Sequence, residues 1–172
     1  DDKPYELNIS WWSAMEDSSR DAKRFQYERF ILSQLLVMAL KGVPAFYLPA
    51  LLASENDIKS FSMTGQRRDL NREKFKSENL LAVLNNPESN ANKNLKYLRN
   101  AMDVRSKLKQ FHPCSQMKCL SKGRSDIVVI KRGKGLESVF AIHNMTENKI
   151  NYQLNDNDLP KIIDNDFNTQ DF

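Results

Sequence analysis

Histidine and cysteine, the side chains that most often hold metals or act as nucleophiles, are nearly missing from this chain: its 172 residues include two of each. Cys114 and Cys119 have no second pair beside them, which excludes a four-ligand structural zinc site, and a secreted disulfide scaffold would need more cysteine. Reduced thiols in a cytoplasmic protein are the expectation. Five glycines and six prolines exclude collagen-like and low-complexity chains, while 40% hydrophobic and 28% charged residues exclude a wholly disordered one. Long hydrophobic runs are missing too. The richest stretch, Phe30 to Leu52, is interrupted by Lys41, Gly42, Pro44 and Pro49, short of the roughly 20 residues a membrane span requires. Nor does one sign of charge dominate, with 26 Lys and Arg against 22 Asp and Glu spread along the chain. A nucleic-acid footprint would show clustered basic residues, so neither nucleic acid nor membrane is an expected partner. Asn8-Ile9-Ser10 and Asn144-Met145-Thr146 match the glycosylation triplet, but no signal peptide precedes them and they read as chance matches.

What is present is globular. The length suits one domain, or a small domain plus part of another, and falls short of a complete (β/α)8 barrel of about 250 residues. From Asp21 to Leu40, Phe25, Leu32, Leu35, Leu36 and Ala39 recur at three- and four-residue spacing, predicting a helix capped by Ser19 or Asp21 and stopped by Gly42. Val43 to Leu48 then reads as a short strand, apolar on both sides of its alternation. Such a strand needs cover on both faces, as in a parallel sheet flanked by helices. Pro49 to Lys76 reads as a long polar loop, and loops of that length inside compact domains are usually functional. A short helix follows at about Ser77 to Leu84, then a turn at Asn85-Asn86-Pro87 and a longer helix from about Asn90 to Lys109, with Leu95, Leu98, Met102 and Leu108 on its apolar side.

After Phe111-His112-Pro113 the period changes from helical to alternating. Asp126 to Lys131 and Ser138 to Asn144 are strong strand candidates and Lys149 to Leu154 a weaker one, with turns at Lys122-Gly123 and Gly133-Lys134-Gly135. From Asn155 onward the tail is rich in Asn and Asp and is expected to be partly disordered, with Ile162 and Ile163 available for one edge strand.

Three stretches carry a family resemblance. Pro4-Tyr5-Glu6-Leu7-Asn8-Ile9 with the aromatic pair Trp11-Trp12 resembles the segment after barrel strand seven in the sucrose phosphorylase branch of glycoside hydrolase family 13, the α-amylase clan. Gly42-Val43-Pro44-Ala45-Phe46-Tyr47 resembles strand eight, and Arg68-Asp69-Leu70-Asn71-Arg72-Glu73-Lys74 the loop after it. Phe111-His112-Pro113 with Gln116 is a looser match to the start of the C-terminal β-domain. The resemblance implies an α/β plus all-β protein: the C-terminal end of a (β/α)8 TIM barrel over residues 1–110, followed over 111–172 by a small antiparallel, β-sandwich-like domain. It implies a hexosyltransferase that moves a glucosyl group between a small glucoside and inorganic phosphate to give α-glucose 1-phosphate. The Arg67 to Lys74 phrase leans toward glucosylglycerate-type members.

By the same resemblance the catalytic carboxylates lie at the ends of strands four, five and seven, upstream of Asp1. No catalytic residue is therefore expected in this chain, which would need the missing N-terminal barrel portion and be inactive alone. Glu16, Asp17, Asp57 and Asp69 are available carboxylates, but their spacing does not identify the pair, about 5–5.5 Å apart, that a retaining mechanism uses. The substrate-binding candidates are Arg67, Arg68, Asn71 and Arg72 on the loop, with Trp11 and Trp12. A guanidinium matches phosphate with paired, charge-assisted hydrogen bonds, and the resemblance singles out Arg68; the alternative is an ion-pair network that only holds the loop. Asp69 is expected to orient an arginine. Trp11 and Trp12 suit either a sugar-stacking wall or the core, and His112 and His143 read as structural. No cofactor or metal is implied. Two other readings stay open: a clan hydrolase or transglucosylase, and a non-catalytic carbohydrate-binding module.

Overall fold

A computed structural model describes residues 6–154 apart from 18, 20 and 122. These residues form two compact units, one built from residues up to Met38 with Pro44–Val104, the other from Ala39–Val43 with Arg105 onward. The predicted tail strand at Ile162 and Ile163 lies outside the described residues.

The first unit is helical. A single 3-10 turn at Ser13–Met15 precedes α1 (Gln26–Ala39); α2 (Leu48–Leu51), α3 (Ile58–Thr64), a second 3-10 turn at Arg67–Asn71, α4 (Ser77–Asn85) and α5 (Asn90–Lys107) follow. The expected helix at 21–40 thus begins later, at Gln26, and buries a different stripe. Gln26, Phe30, Ile31, Gln34 and Met38 are enclosed together with Ala39, the one member of the expected stripe that is buried, whereas Phe25 is exposed with φ at 56° and Leu32, Leu35 and Leu36 are half-buried. A helix that is apolar on nearly every side does not select its inward face by periodicity alone; here the two glutamines join the buried stripe, and Gln26 Nε2 donates to the Trp12 carbonyl at 3.0 Å. The unit's core is Trp12, Phe30, Ala50 and Ala53, with Met15 and Tyr27 against it. Trp12 meets Phe30 edge to face at 5.2 Å, an arrangement favoured by the ring quadrupole.

The expected strand over Val43 to Leu48 is not formed. Residues 43–47 have no regular secondary structure and alternate between exposed and half-buried; no strand pairs with them among the described residues, and Leu48 opens α2. A strand exists only through its neighbours' hydrogen bonds; Val43 stays 79% exposed. The expected loop from Pro49 is also more ordered than its polarity suggested, since it contains α2, α3 and a 3-10 turn. Helix α5 buries Ala91, Asn94 and Leu98, and Asn94 Nδ2 donates to the carbonyls of Ala50 and Leu51 at 3.1 and 2.7 Å. Those are carbonyls that a short helix cannot satisfy by itself.

The second unit holds one antiparallel sheet, in the order β1 (Met117–Cys119), β2 (Ile127–Arg132), β3 (Val139–Asn144). Both strong strand predictions match within a residue. β1 was unforeseen, Lys149 to Leu154 is not a strand, and no second sheet makes a sandwich among the described residues. Central β2 carries the core: Ile127, Val129, Ile130 and Arg132 are buried. Gly133 leaves β2 at φ +85°, where an added Cβ would lie 2.9 Å from Gln110 Cγ, so glycine is required there for both conformation and space. His143 is enclosed on β3, and burial pushes its imidazole below its ordinary value, keeping it neutral near pH 7.

Arg132 is fully buried. Its Nη1 donates to the carbonyls of Ala39 and Leu40 at 3.0 and 2.6 Å, and its Nη2 to that of His112 at 3.0 Å. Arg105 binds the Phe111 and Gly42 carbonyls at 2.6 and 3.0 Å, and both guanidiniums stand 5.4 Å from the Phe111 ring centroid. The Phe111-His112 pair thus supplies an aromatic face and two carbonyls to a pair of cations.

Candidate functional site

The polar stretch after α2 is a loop closed on itself within the first unit. Asp57 opens α3 as an N-cap, accepting from the Ser60 N–H at 2.9 Å and the Ser60 hydroxyl at 2.5 Å. Gly65, at φ 67°, ends α3 in the left-handed region that glycine adopts without cost. The Asp57 N–H then donates to the Leu70 carbonyl at 2.8 Å, which ties the start of α3 to the far end of the Arg67–Asn71 turn. Inside this ring Thr64 Oγ1 donates to Asp69 Oδ2 at 2.6 Å. Asp69, expected beside an arginine, therefore has a hydroxyl partner and braces the turn.

The two Ser60 bonds hold the Asp57 carboxyl below its usual value, the side-chain bond being the larger cause. A carboxylate favoured in the folded state contributes stability that is present above the unfolded-state value and lost as pH falls through the folded one. Asp57→Ala is expected to cost about 0.5–2 kcal/mol as a lost N-cap. The gap between parent and variant, followed by urea unfolding, should close as pH drops below about 4; a gap unchanged at pH 3 would show that the cap is not the source.

The N-terminal segment is pinned to this loop. Ser10 N–H donates to Asn56 Oδ1 at 2.7 Å, and Asn56 N–H donates to Ser13 Oγ at 3.1 Å. Further out, Arg68 Nε donates to Glu6 Oε1 at 2.7 Å, with the two side chains 51% and 34% exposed. Between segment and loop lies a mainly apolar cavity of about 410 Å³ whose lining includes Leu7, Ser10, Trp11, Tyr47 and Asn71. Its polar points are few: Asn71 Oδ1 is enclosed with no partner among the described residues, and Trp11 Nε1 donates to Ser33 Oγ at 2.9 Å.

The six candidate binding residues therefore divide. Trp11 and Asn71 line one cavity, and Arg68 shares the 3-10 turn with Asn71. Arg67, on the same turn, and Arg72, just past it, are exposed. Trp12 is drawn the other way, 4% exposed among Phe30, Ala50 and Ala53, which leaves no ring face for a sugar. Tyr47 and Glu6 were not singled out from sequence. Tyr47 was hidden inside a stretch read as a buried strand, and Glu6 is 62 residues from Arg68, a separation that no local pattern encodes. Asp17 accepts from Ser19 N–H and Oγ at 3.0 and 2.6 Å, and Glu16 from Gln26 Nε2 at 3.4 Å. With Asp57 and Asp69, all four carboxylates weighed from sequence thus have local structural partners. No cluster of three metal-binding side chains occurs among the described residues, and no described helix is long and apolar enough to cross a membrane.

No family model matches the chain. Curated proteins do. A glucosylglycerate phosphorylase of Allomeiothermus silvanus is 31% identical over 145 residues, covering 84% of this chain and 26% of that protein. A glucosylglycerate phosphorylase of Spirochaeta thermophila is 30% identical over 144 residues, 83% of this chain and 24% of that protein. The chain belongs with the sucrose phosphorylase-like proteins. Within that group a sucrose phosphorylase of Streptococcus mutans is 27% identical over 96 residues, 56% of this chain, so the glucosylglycerate phosphorylases match over more of it. The chain spans about a quarter of the length of these relatives, which is consistent with a C-terminal part.

Proposed function

We propose that this chain is the C-terminal part of a retaining α-glucoside phosphorylase, which transfers a glucosyl group between a small glucoside and inorganic phosphate to give α-glucose 1-phosphate. On this reading residues 1–110 complete a (β/α)8 barrel, and 111–172 form the appended β-domain. The unpaired segment 43–47 would become a barrel strand once neighbours flank it. The catalytic carboxylates belong to the rest of the enzyme, so the chain alone is inactive. Glucosylglycerate is the preferred glucoside, supported by the longer match to proteins of that name. A cytoplasmic setting is supported by the two free, exposed thiols at Cys114 and Cys119.

The observation that carries the site is the Arg68 guanidinium, placed on the braced turn whose Asn71 lines the cavity shared with Trp11. Its observed ion pair to Glu6 is partly exposed, and such pairs contribute about 0–1 kcal/mol. An incoming phosphate, offering charge-assisted bonds of about 1.5–3 kcal/mol each, competes with Glu6 successfully. In the full-length enzyme, Arg68→Ala should therefore lower kcat/KM for phosphorolysis about 10- to 100-fold, while glucosyl transfer to water changes little. Equal losses in both reactions would remove Arg68 from the phosphate site. An enzyme that forms no glucose 1-phosphate from any glucoside when phosphate is added would instead be a clan hydrolase or transglucosylase.

A further inference from the structure

We infer that α4 and α5 together form a seat for one amphipathic helix of the polypeptide that precedes this chain in the parent enzyme, the first helix of its barrel. The inference rests on the barrel reading above and adds where the rest of the enzyme docks.

Helix α4 is apolar through Leu80, Leu81, Ala82, Val83 and Leu84, yet none of its nine residues is buried against the described residues. Leu81 is 60% exposed and Val83 45%. A helix shorter than about 12–15 residues is marginal in water unless it packs an apolar face. What fixes α4 here is polar and confined to its end: Asn92 Nδ2 donates to the Leu84 carbonyl at 2.6 Å, and Ser89 Oγ to the Val83 carbonyl at 2.7 Å. These bonds tie α4 to the start of α5 and leave its apolar side uncovered.

Helix α5 adds an independent observation. Of the apolar residues expected on its inner side, Leu98 is fully buried, but Leu95 and Met102 are only half-buried. With Leu84 of α4 these two line an open cleft of about 790 Å³, to which Lys96, Arg99 and Asp103 also contribute. Leu81 lies one turn before Leu84 on the same face of α4. Apolar residues flanked by charged ones along a hollow between two helices have the form of a helix-in-groove interface.

The length of the relatives and the closure of a barrel identify the occupant. About three quarters of those proteins lies outside the match to this chain. In a (β/α)8 barrel the helices form a closed outer ring, so the last stands beside the first. α5 is the last α-helix among the described residues and precedes the sheet of the second unit. The helix that fills the cleft therefore presents apolar side chains at three- and four-residue spacing to Leu84, Leu95 and Met102.

Thiol labelling of the full-length enzyme tests the seat. Leu81→Cys and Met102→Cys are made singly, in the 172-residue chain and in the full-length enzyme, and reacted with N-ethylmaleimide; peptide masses separate each new thiol from Cys114 and Cys119. In the 172-residue chain both new thiols should react nearly as fast as in urea. In the full-length enzyme both should react about 100-fold more slowly, since labelling then waits for the covering helix to open. The photoreactive residue p-benzoylphenylalanine in place of Lys96 should cross-link within one full-length molecule, to a segment of the first barrel unit with apolar residues at helical spacing. Thiols at positions 81 and 102 that label equally fast in both proteins would overturn the inference. So would a cross-link to a second copy of the chain, or to any segment outside the first barrel unit. Phosphorolysis by the unaltered full-length enzyme is assayed separately: an enzyme that makes no glucose 1-phosphate but shields both thiols and gives the expected cross-link supports the seat while removing the proposed reaction.

Discussion

Arg132→Met is expected to destabilise the protein by about 2–4 kcal/mol, although it removes a buried charge that has no acidic partner among its observed contacts. Burial lowers the affinity of this guanidinium for its proton, and Arg105 nearby lowers it further. Desolvating such a group costs several kcal/mol. Three charge-assisted bonds to the carbonyls of Ala39, Leu40 and His112, at about 1.5–3 kcal/mol each, roughly offset that cost. What decides the outcome is what methionine leaves behind. Three carbonyl oxygens lose their donor, at about 1–3 kcal/mol for each that water cannot reach, and the Phe111 ring loses one of its two cations. Arg132→Lys should recover only part of the loss, since one ammonium cannot reproduce a planar fork that reaches both residues 39–40 and His112. Urea midpoints for the three proteins provide the measurement. An Arg132→Met protein as stable as the parent would mean that charge burial, rather than carbonyl satisfaction, dominates this site.

Trp12→Ala is expected to cost about 3–5 kcal/mol, the usual loss for a large buried aromatic, because the site keeps a cavity that its neighbours only partly fill. Trp12 is 4% exposed and stacks edge to face with Phe30 and Tyr27 at 5.2 and 6.3 Å. Trp11→Ala should cost far less, since Trp11 is 43% exposed and its loss removes mainly cavity wall and the bond to Ser33. In the full-length enzyme the two variants should separate functionally as well: Trp11→Ala raises the KM for the glucoside, and Trp12→Ala lowers the amount of folded enzyme without a specific change in KM. Interchanged effects would return Trp12 to the binding wall.

These two residues show how much of the molecule was legible in the sequence. Elements whose signal is local were read closely: β2 and β3 from alternation, α4 and α5 from their period. The loop arginines were recognised as a group because they are neighbours in the chain. The pairings were not legible. Periodicity cannot say which side of an evenly apolar α1 turns inward, nor that Asn94 on α5 would serve the end of α2, nor that Glu6 would meet Arg68. A polar stretch such as 57–70 forms helices here because its hydrogen bonds close on one another, Asp57 to Ser60 and to Leu70, an arrangement that composition does not reveal. The strand expected at 43–48 failed for the converse reason. Its residue types suit a buried strand, but a strand needs partners, and none pairs with it among the described residues.

By itself, then, the sequence determined the scarcity of metal-binding and nucleophilic side chains, the positions of α4, α5, β2 and β3, and a resemblance to sucrose phosphorylases that its relatives support. Those properties depend on residue identity and on spacing over a few positions. Only the tertiary structure decided which tryptophan is core and which faces a cavity, that Arg132 is a buried cation held by carbonyls, and that the apolar side of α4 finds no cover among the described residues. Each of these depends on which distant residues share a volume, because desolvation and orphaned carbonyls act across space and not along the chain.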